Sequence, residues 1–137
     1  MQAVADFFQQ YAQAYINSDL ETLGQLISLP SMLLAGDNKT LLTDSGSLQA
    51  YVLARMEKYR ELGVVHIDFM LQHQLRLSEQ LQFVSLYWRF YNSDNKVLFT
   101  CHTSYTLQRC GEQWQVVAII LDDEDAAYQR VLGTQVL

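Results

Sequence analysis

Tyr11 and Tyr15 are the residues best suited to chemistry by type and spacing, because they lie one helical turn apart on an apolar face. A buried tyrosine hydroxyl needs a hydrogen-bond partner, so either residue can project into a cavity and bind the carbonyl group of a ligand. The alternative is that both are core aromatics whose hydroxyls reach water or backbone, since aromatic side chains mostly serve packing. The predicted ligand-binding residues are Tyr11, Tyr15, Tyr51, Trp88 and His102.

The three histidines all lie in predicted strands. His66 shares a strand face with Asp68, and a carboxylate beside an imidazole can orient it as a general base. The alternative is that His66, His73 and His102 only satisfy local hydrogen bonds, which is the commoner role. No set of His, Asp and Glu has metal-ligand spacing such as His-Glu-x-x-His, so we expect neither a metal nor a cofactor. The catalytic residues, if any, stay undetermined.

The acidic residues have structural explanations beside the chemical ones. Asp19 can lie at the mouth of a site, but it also stands where a helix cap is required. The acidic run over residues 122–125 can raise the pKa of one of its own carboxyl groups. A solvated start for a last short helix, over about residues 126–132, is the alternative.

Composition limits the class of protein. The chain has 137 residues, of which 50% are hydrophobic and 18% charged, which predicts one globular domain over residues 1–137. The net charge of −6 and the scattering of the nine Lys and Arg residues argue against nucleic-acid binding. No apolar run approaches the roughly 20 residues that span a bilayer, so we expect no membrane partner. The N-terminal residues lack the pattern of a signal peptide.

The two cysteines, Cys101 and Cys110, lie near opposite ends of one predicted strand, too far apart for a disulfide. Without a disulfide framework or a signal peptide, the default expectation is a reduced cytoplasmic protein. His102 directly follows Cys101, but strand alternation places their side chains on opposite faces, so a nucleophilic cysteine is a weak hypothesis.

The N-terminal elements that would position these residues are helical. Apolar and aromatic residues at helical spacing predict an amphipathic helix over residues 4–15. Ser18 followed by Glu21 fits a capping box, so a second helix should begin there. Pro30 should end that helix, because the residue before a proline avoids helical backbone angles.

A hairpin and a longer helix follow. Residues 36–38 form a turn signature between two short apolar segments. A second cap over residues 44–47 opens a long helix, for which Gly63 is the left-handed stop. One face of this helix carries Leu48, Tyr51, Val52, Arg55, Met56 and Tyr59.

The second half of the chain is predicted as four long strands joined by short turns. They cover residues 64–77, 81–91, 96–109 and 114–122. The second strand alternates between two faces. One face is fully apolar, with Val84, Leu86, Trp88 and Phe90, and the other is aromatic and mixed, with Phe83, Ser85, Tyr87, Arg89 and Tyr91. Alternation fixes these two sets, but it leaves open which set faces inward.

The resulting fold class is α+β: a cone of N-terminal helices packed on a strongly curved mixed or antiparallel sheet with a four-strand C-terminal meander. Three segments, residues 15–21, 88–97 and 111–117, resemble pieces of the NTF2-like superfamily. This superfamily, also called the cystatin-like α+β barrels, includes SnoaL-type cyclases and ketosteroid isomerases. The resemblance implies the fold over nearly the whole chain, while the superfold hosts enzymes, carriers and adaptors alike.

The resemblance can be followed residue by residue for the ketosteroid isomerases. It places Tyr11 where that family has its oxyanion-donating tyrosine. The general base would fall near Ala35, which cannot accept a proton, and the family's neutral carboxylic acid would fall within residues 104–106, where no acid stands. The comparison therefore supports the fold and argues against steroid-type proton transfer.

Three functions stay open at this stage. The first is binding of an apolar or aromatic small molecule in the cone, by a homodimer that pairs outer sheet faces bearing Tyr87, Arg89 and Tyr91. The second is a SnoaL-like or epoxide-hydrolase-like enzyme, which needs polar groups to converge in the same pocket. The third is a noncatalytic adaptor whose cone is filled by side chains. A wholly apolar cavity would exclude the enzyme.

Overall fold

The structure, a computed structural model, describes residues 2–123, 126–127 and 129–130. This part of the chain includes the helices α1 (Val4–Ile16), α2 (Leu20–Leu26) and α3 (Ser45–Leu62). It also includes the strands β1 (Ile27–Ala35), β2 (Asn38–Leu42), β3 (His66–Arg76), β4 (Leu81–Tyr91), β5 (Val97–Cys110) and β6 (Gln113–Leu121). The helix expected over residues 126–132 falls largely outside the described residues. No helix within the described ranges is long and apolar enough to span a membrane.

The six strands form one sheet in the order β2-β1-β6-β5-β4-β3. Strand β1 pairs with β6 in parallel, and the other pairs are antiparallel, so the sheet is mixed. Register shifts interrupt the pairing within β3, near the end of β4 and in the middle of β5. Such bulges bend and twist a strand. The expected α+β architecture with a C-terminal meander is confirmed, and the sheet is open rather than closed into a barrel.

The core lies between the helices and one face of the sheet. The apolar set predicted on β4 is the inward one, with Val84, Leu86, Trp88 and Phe90 at most 4% exposed. Strand β5 contributes Phe99, Cys101 and Tyr105 to the same inner face. Phe90 stacks on Phe99 with ring centroids 4.2 Å apart. The structure thus assigns the two faces that alternation had left unlabelled.

Helix α3 has both of the ends that the sequence predicts. Asp44 is its N-cap and forms a capping box with Ser47, accepting the Ser47 backbone N–H at 2.7 Å. Gly63 ends the helix with φ +83°, a conformation that glycine adopts without a Cβ penalty. These ends fix the segment that carries Tyr51, Arg55 and Tyr59.

Helix α2 differs from its prediction at both ends. Its N-cap is Asp19, whose carboxylate accepts the Thr22 backbone N–H at 3.1 Å and the Thr22 hydroxyl at 2.6 Å. Ser18 instead takes φ +54° between the two helices, so the capping box predicted from Ser18 is wrong. The prediction that Pro30 ends α2 is also wrong. The helix ends at Leu26, because the chain is already extended at Ile27, and Pro30 lies inside β1.

The predicted hairpin is present as β1 and β2, joined by Gly36 and Asp37. Strand β1 begins at Ile27, earlier than the apolar segment after Pro30 suggests. Its first residue, Ile27, pairs with Val116 of β6, a long-range contact that local sequence does not reveal.

Candidate functional site

A small cavity lies inside the cone, between α1, α3 and the inner face of the sheet. Its volume is about 20 Å³, which is room for about one water molecule. Its aromatic and charged lining comprises Tyr11 and Tyr15 from α1, Tyr51, Arg55 and Tyr59 from α3, and Trp88, Phe90 and Tyr105 from the sheet. Side chains from four elements, α1, α3, β4 and β5, therefore converge on one point.

Aromatic rings fill most of the space around this cavity. The ring centroid of Tyr11 lies 5.3 Å from that of Tyr15, 5.7 Å from that of Tyr105 and 6.3 Å from that of Trp88. Tyr15 in turn contacts Tyr59 edge-on, with centroids 6.0 Å apart. The indole N–H of Trp88 donates to the Tyr105 hydroxyl at 3.1 Å. These contacts hold the hydroxyl-bearing rings in fixed positions.

A larger cleft adjoins the cavity near the C-terminal ends of α1 and α3. Its volume is about 260 Å³. Tyr15, Tyr59 and Ile67 line both spaces, so these three side chains form the boundary between them. The rest of the cleft is lined by Ile16, Ser18, Met56, Arg60, Gly63, Val64 and Val65. A ligand with a body in the cleft would therefore lie against the tyrosines of the cavity.

Burial keeps the cavity tyrosines neutral. It raises the pKa of Tyr11 and of Tyr15 well above the ordinary value of 10.0, and repulsion from neighbouring tyrosines adds to the rise. A hydrogen bond between the two hydroxyls moves the pKa of Tyr11 down and that of Tyr15 up. Both hydroxyls therefore keep their protons far above physiological pH, and because one donates to the other, one O–H is left to donate to a further acceptor.

Among the described residues that line the cavity, Arg55 is the charged one. It is only 7% exposed, and its guanidinium carbon lies 5.3 Å from the centroid of the Tyr51 ring, in cation–π geometry. The same positive charge moves the pKa of Tyr15 downward. The residues that line the cavity and the cleft in the described part of the chain include no carboxylate and no histidine.

The arrangement suits hydrogen-bond donation to an acceptor rather than abstraction of a proton. A general base needs a group that accepts a proton near neutral pH, and the described lining residues supply none. The cavity is nevertheless not wholly apolar, since two hydroxyls with raised pKa meet an arginine there. No group of His, Cys, Asp and Glu among the described residues could hold a metal ion.

Four of the five predicted binding residues, Tyr11, Tyr15, Tyr51 and Trp88, line the cavity. The placement of His102 in the pocket is wrong. Because its neighbours Cys101 and Thr103 point inward, His102 points outward, where it stacks on Tyr87 with centroids 5.1 Å apart. Its backbone N–H donates to the Asp123 carboxylate at 2.6 Å.

The residues that the site prediction missed are Arg55, Tyr59 and Tyr105. A signal for the first two was present, because they follow Tyr51 at intervals of four along the same helix face. Tyr105 shares its strand face with Cys101. It also projects into the cavity from the segment where the isomerase comparison expects a carboxylic acid.

The suggested pair of His66 and Asp68 lies on the outer face of the sheet, away from the cavity. Asp68 accepts the Arg89 Nε–H at 2.7 Å and the Tyr91 hydroxyl at 3.0 Å. His66 packs its ring against Tyr91, with centroids 5.3 Å apart. Asp68 is therefore part of a surface ion pair rather than the orienting group of a base.

Comparison with known proteins identifies the family. The sequence model of a family described as "NTF2-like protein (DUF6841)" matches residues 2–124, so the chain belongs to that family. No curated protein matches the chain.

Solved structures that resemble this one share its fold at low sequence identity. An NTF2-like protein of unknown function from Shewanella oneidensis MR-1 is 12% identical with a TM-score of 0.64, over 85% of this chain and 93% of that one. A cystatin-like domain of unknown function from Nostoc punctiforme PCC 73102 is 14% identical with a TM-score of 0.66, over 97% and 91%. A ketosteroid isomerase-like protein from Erwinia carotovora atroseptica SCRI1043 is 14% identical with a TM-score of 0.62, over 84% and 88%.

Proposed function

We propose that this NTF2-like domain binds a small molecule with an apolar or aromatic body, held in the cleft and directed toward the cavity tyrosines. One observation carries the proposal: neutral tyrosine hydroxyls and an arginine adjoin a cleft of about 260 Å³ whose lining is part apolar and part polar. That volume is close to the lower end of small-molecule pockets, about 300 Å³. The ligand presents a hydrogen-bond acceptor to the hydroxyl of Tyr11.

The two other functions have less support from the site. A SnoaL-like or epoxide-hydrolase-like enzyme has hydroxyl donors available here, but the described lining residues offer it no general base. The small inner cavity is consistent with an adaptor whose cone is filled by side chains, but the larger cleft beside it is not. Turnover of a carbonyl or epoxide compound that depends on Tyr11 would favour the enzyme over the binding protein.

The test is an isothermal calorimetric titration of the protein with 2-acetonaphthone, a neutral ketone with an aromatic body. We expect saturable binding of one ligand per chain, weakened by Tyr11→Phe, which keeps the ring and removes the hydroxyl. Val65→Trp should also weaken binding, because Val65 lines the cleft and is 52% exposed, so a larger side chain occludes the cleft without disturbing the core.

Val97→Trp is the matched control for this test. Val97 is 50% exposed, much like Val65, but it lies on β5 and lines neither space. It should leave the affinity unchanged. Equal loss of binding in both tryptophan variants, or no binding by the unmodified protein, would overturn the proposal.

We also propose that two copies associate through the outer faces of their sheets. Phe83, Tyr87 and Tyr91 on that face are only half-buried within one chain. Met70, which pairs with Tyr87 from the neighbouring strand, is 53% exposed. A symmetric dimer would cover this aromatic surface while leaving the cleft, on the helix side, accessible.

We further propose that residues 1–137 form a single domain and that the protein is located in the cytoplasm. Neither Cys101 nor Cys110 forms a disulfide. Reduced cysteines are the ordinary state of cytoplasmic proteins.

A further inference from the structure

We propose that one water molecule is a fixed component of the binding site: it occupies the cavity, accepts a hydrogen bond from Tyr11 and donates one to the ligand in the cleft. The inference rests on the proposed function, because it specifies how the acceptor group of that ligand is recognised at the same site. The contact between the ligand and Tyr11 is then mediated by water.

The first argument is the size of the cavity. Its volume of about 20 Å³ exceeds the minimum of about 10–15 Å³ that a water molecule needs, and it is too small for two. Apolar cavities of larger volume stay dry in proteins, whereas polar ones hold water. The polarity of the lining therefore decides whether this space is hydrated.

The second argument is that hydroxyl groups converge on the cavity. Five tyrosines line it, namely Tyr11, Tyr15, Tyr51, Tyr59 and Tyr105. Repulsion from Tyr105, Tyr51 and Tyr59 contributes to the raised pKa of Tyr11, so their hydroxyls lie within electrostatic range of its own. A water molecule in this space therefore finds the two to four polar partners that hold buried waters in place.

The third argument is the direction of the hydrogen bond between Tyr11 and Tyr15. This bond lowers the pKa of Tyr11 and raises that of Tyr15. Tyr15 is therefore the donor, because a hydrogen bond to a hydroxyl oxygen favours the ionised form of the acceptor. The proton of Tyr11 is left for a further acceptor. A water oxygen in the cavity accepts it and satisfies a buried donor that is costly to leave unpaired.

The fourth argument is the partition between the two spaces. Tyr15, Tyr59 and Ile67 line both the cavity and the cleft, whereas Tyr11 lines the cavity alone. Ring contacts hold Tyr59 in this partition, with its centroid 6.0 Å from that of Tyr15 and 5.0 Å from that of Phe90. A ligand in the cleft is therefore separated from the Tyr11 hydroxyl. A bridging water spans such a gap with nearly the enthalpy of a direct hydrogen bond.

The direct test is a pair of high-resolution crystal structures, of the unmodified protein alone and with 2-acetonaphthone. We expect one water within hydrogen-bonding distance of the Tyr11 hydroxyl in both structures. In the complex the same water should also contact the ketone oxygen. A free protein without this water, or a ketone oxygen in its place in the complex, would overturn the inference.

A variant that fills the cavity provides a test in solution. Ala12 lines the cavity and is 5% exposed, so Ala12→Val places methyl groups where the water lies and leaves the Tyr11 hydroxyl unchanged. The ligands compared are 2-acetonaphthone and 2-isopropenylnaphthalene, which has nearly the same shape but no acceptor. The unmodified protein should bind the ketone at least about 10-fold more tightly, and Ala12→Val should lose this preference.

Ala14→Val is the matched control. Ala14 is buried on the same helix but lines neither space, so its variant should retain the preference for the ketone. A preference that survives in Ala12→Val as well as in Ala14→Val would overturn the role of the water.

The outcomes separate the two proposals. Equal affinity of the unmodified protein for both ligands, with loss of binding in Val65→Trp, would overturn the water-mediated contact and leave binding in the cleft intact. No binding of either ligand would overturn both. If Ala12→Val fails to fold, the two crystal structures still decide the question.

Discussion

Tyr11 and Tyr15 combine two properties that usually oppose each other: they are core residues by burial and polar residues by chemistry. They are 4% and 7% exposed, respectively. Burial makes ionisation of either hydroxyl costly, so the protons stay in place for hydrogen bonding. A phenylalanine at either position would pack as well but could not donate.

The raised pKa values predict that the protein loses stability in alkaline solution. In the unfolded chain a tyrosine ionises near pH 10.0, whereas in the folded chain Tyr11 and Tyr15 hold their protons to higher pH. The stabilisation is therefore complete below pH 10.0 and decreases as pH rises above that value. The measurement is the free energy of urea unfolding from neutral pH to about pH 11.

A variant isolates the contribution of one residue. Tyr11→Phe should reduce the alkaline slope by up to about 1.4 kcal/mol per pH unit, because one group with a raised pKa is removed. An unchanged slope in Tyr11→Phe would contradict the assignment.

Helix α3 is the element that brings charge to the site, through Arg55 between Tyr51 and Tyr59. Spacing of four residues aligns the three side chains on one side of the helix. Gly63 both ends α3 in a left-handed turn and lines the cleft, so the same residue terminates the helix and forms part of the cleft wall.

Two glycine-to-alanine changes should have opposite effects on stability. Gly63→Ala places a Cβ on a residue with φ +83° and should destabilise the protein by about 1 kcal/mol. Gly24→Ala, inside α2 where an added Cβ meets nothing within 4 Å, should stabilise it by about 0.5–1 kcal/mol. Chemical denaturation of each variant gives its change in the free energy of unfolding. Destabilisation by Gly24→Ala would contradict the assignment of Gly24 to the interior of α2.

Local chemistry in the sequence accounts for the elements better than for the site. The cap at Asp44 and the stop at Gly63 were predictable because each depends on a few neighbouring residues. The course of β1 through Pro30 was not, since it depends on pairing with β6 across most of the chain. For the same reason Tyr11 could be singled out on its own helix, whereas Arg55 enters the cavity only through the docking of α3 on the sheet.

At the scale of the whole molecule, the two faces of the sheet have separate roles. The inner face supports the site, and the outer face carries the aromatic surface around Tyr87 that we expect to form the dimer. Sedimentation at micromolar concentration should give the mass of two chains. A charge at the centre of a symmetric interface is repeated on both chains, so Tyr87→Asp should give monomers.

The control for dimerisation is a charge on the opposite side of the molecule. Leu53 is 49% exposed on α3, so Leu53→Asp should leave the dimer intact. A monomeric unmodified protein, or dissociation by Leu53→Asp as readily as by Tyr87→Asp, would contradict the proposed interface.

The two cysteines differ in exposure, so a thiol reagent should label them at different rates. Cys110 is exposed at the end of β5, while Cys101 is 1% exposed and paired in register with Trp88. A thiol reagent therefore labels one sulfur at once and reaches the other only when β4 and β5 separate beneath the cavity. Because a bound ligand favours the closed protein, the slow labelling rate falls as the site fills, and it reports occupancy without any substitution in the chain.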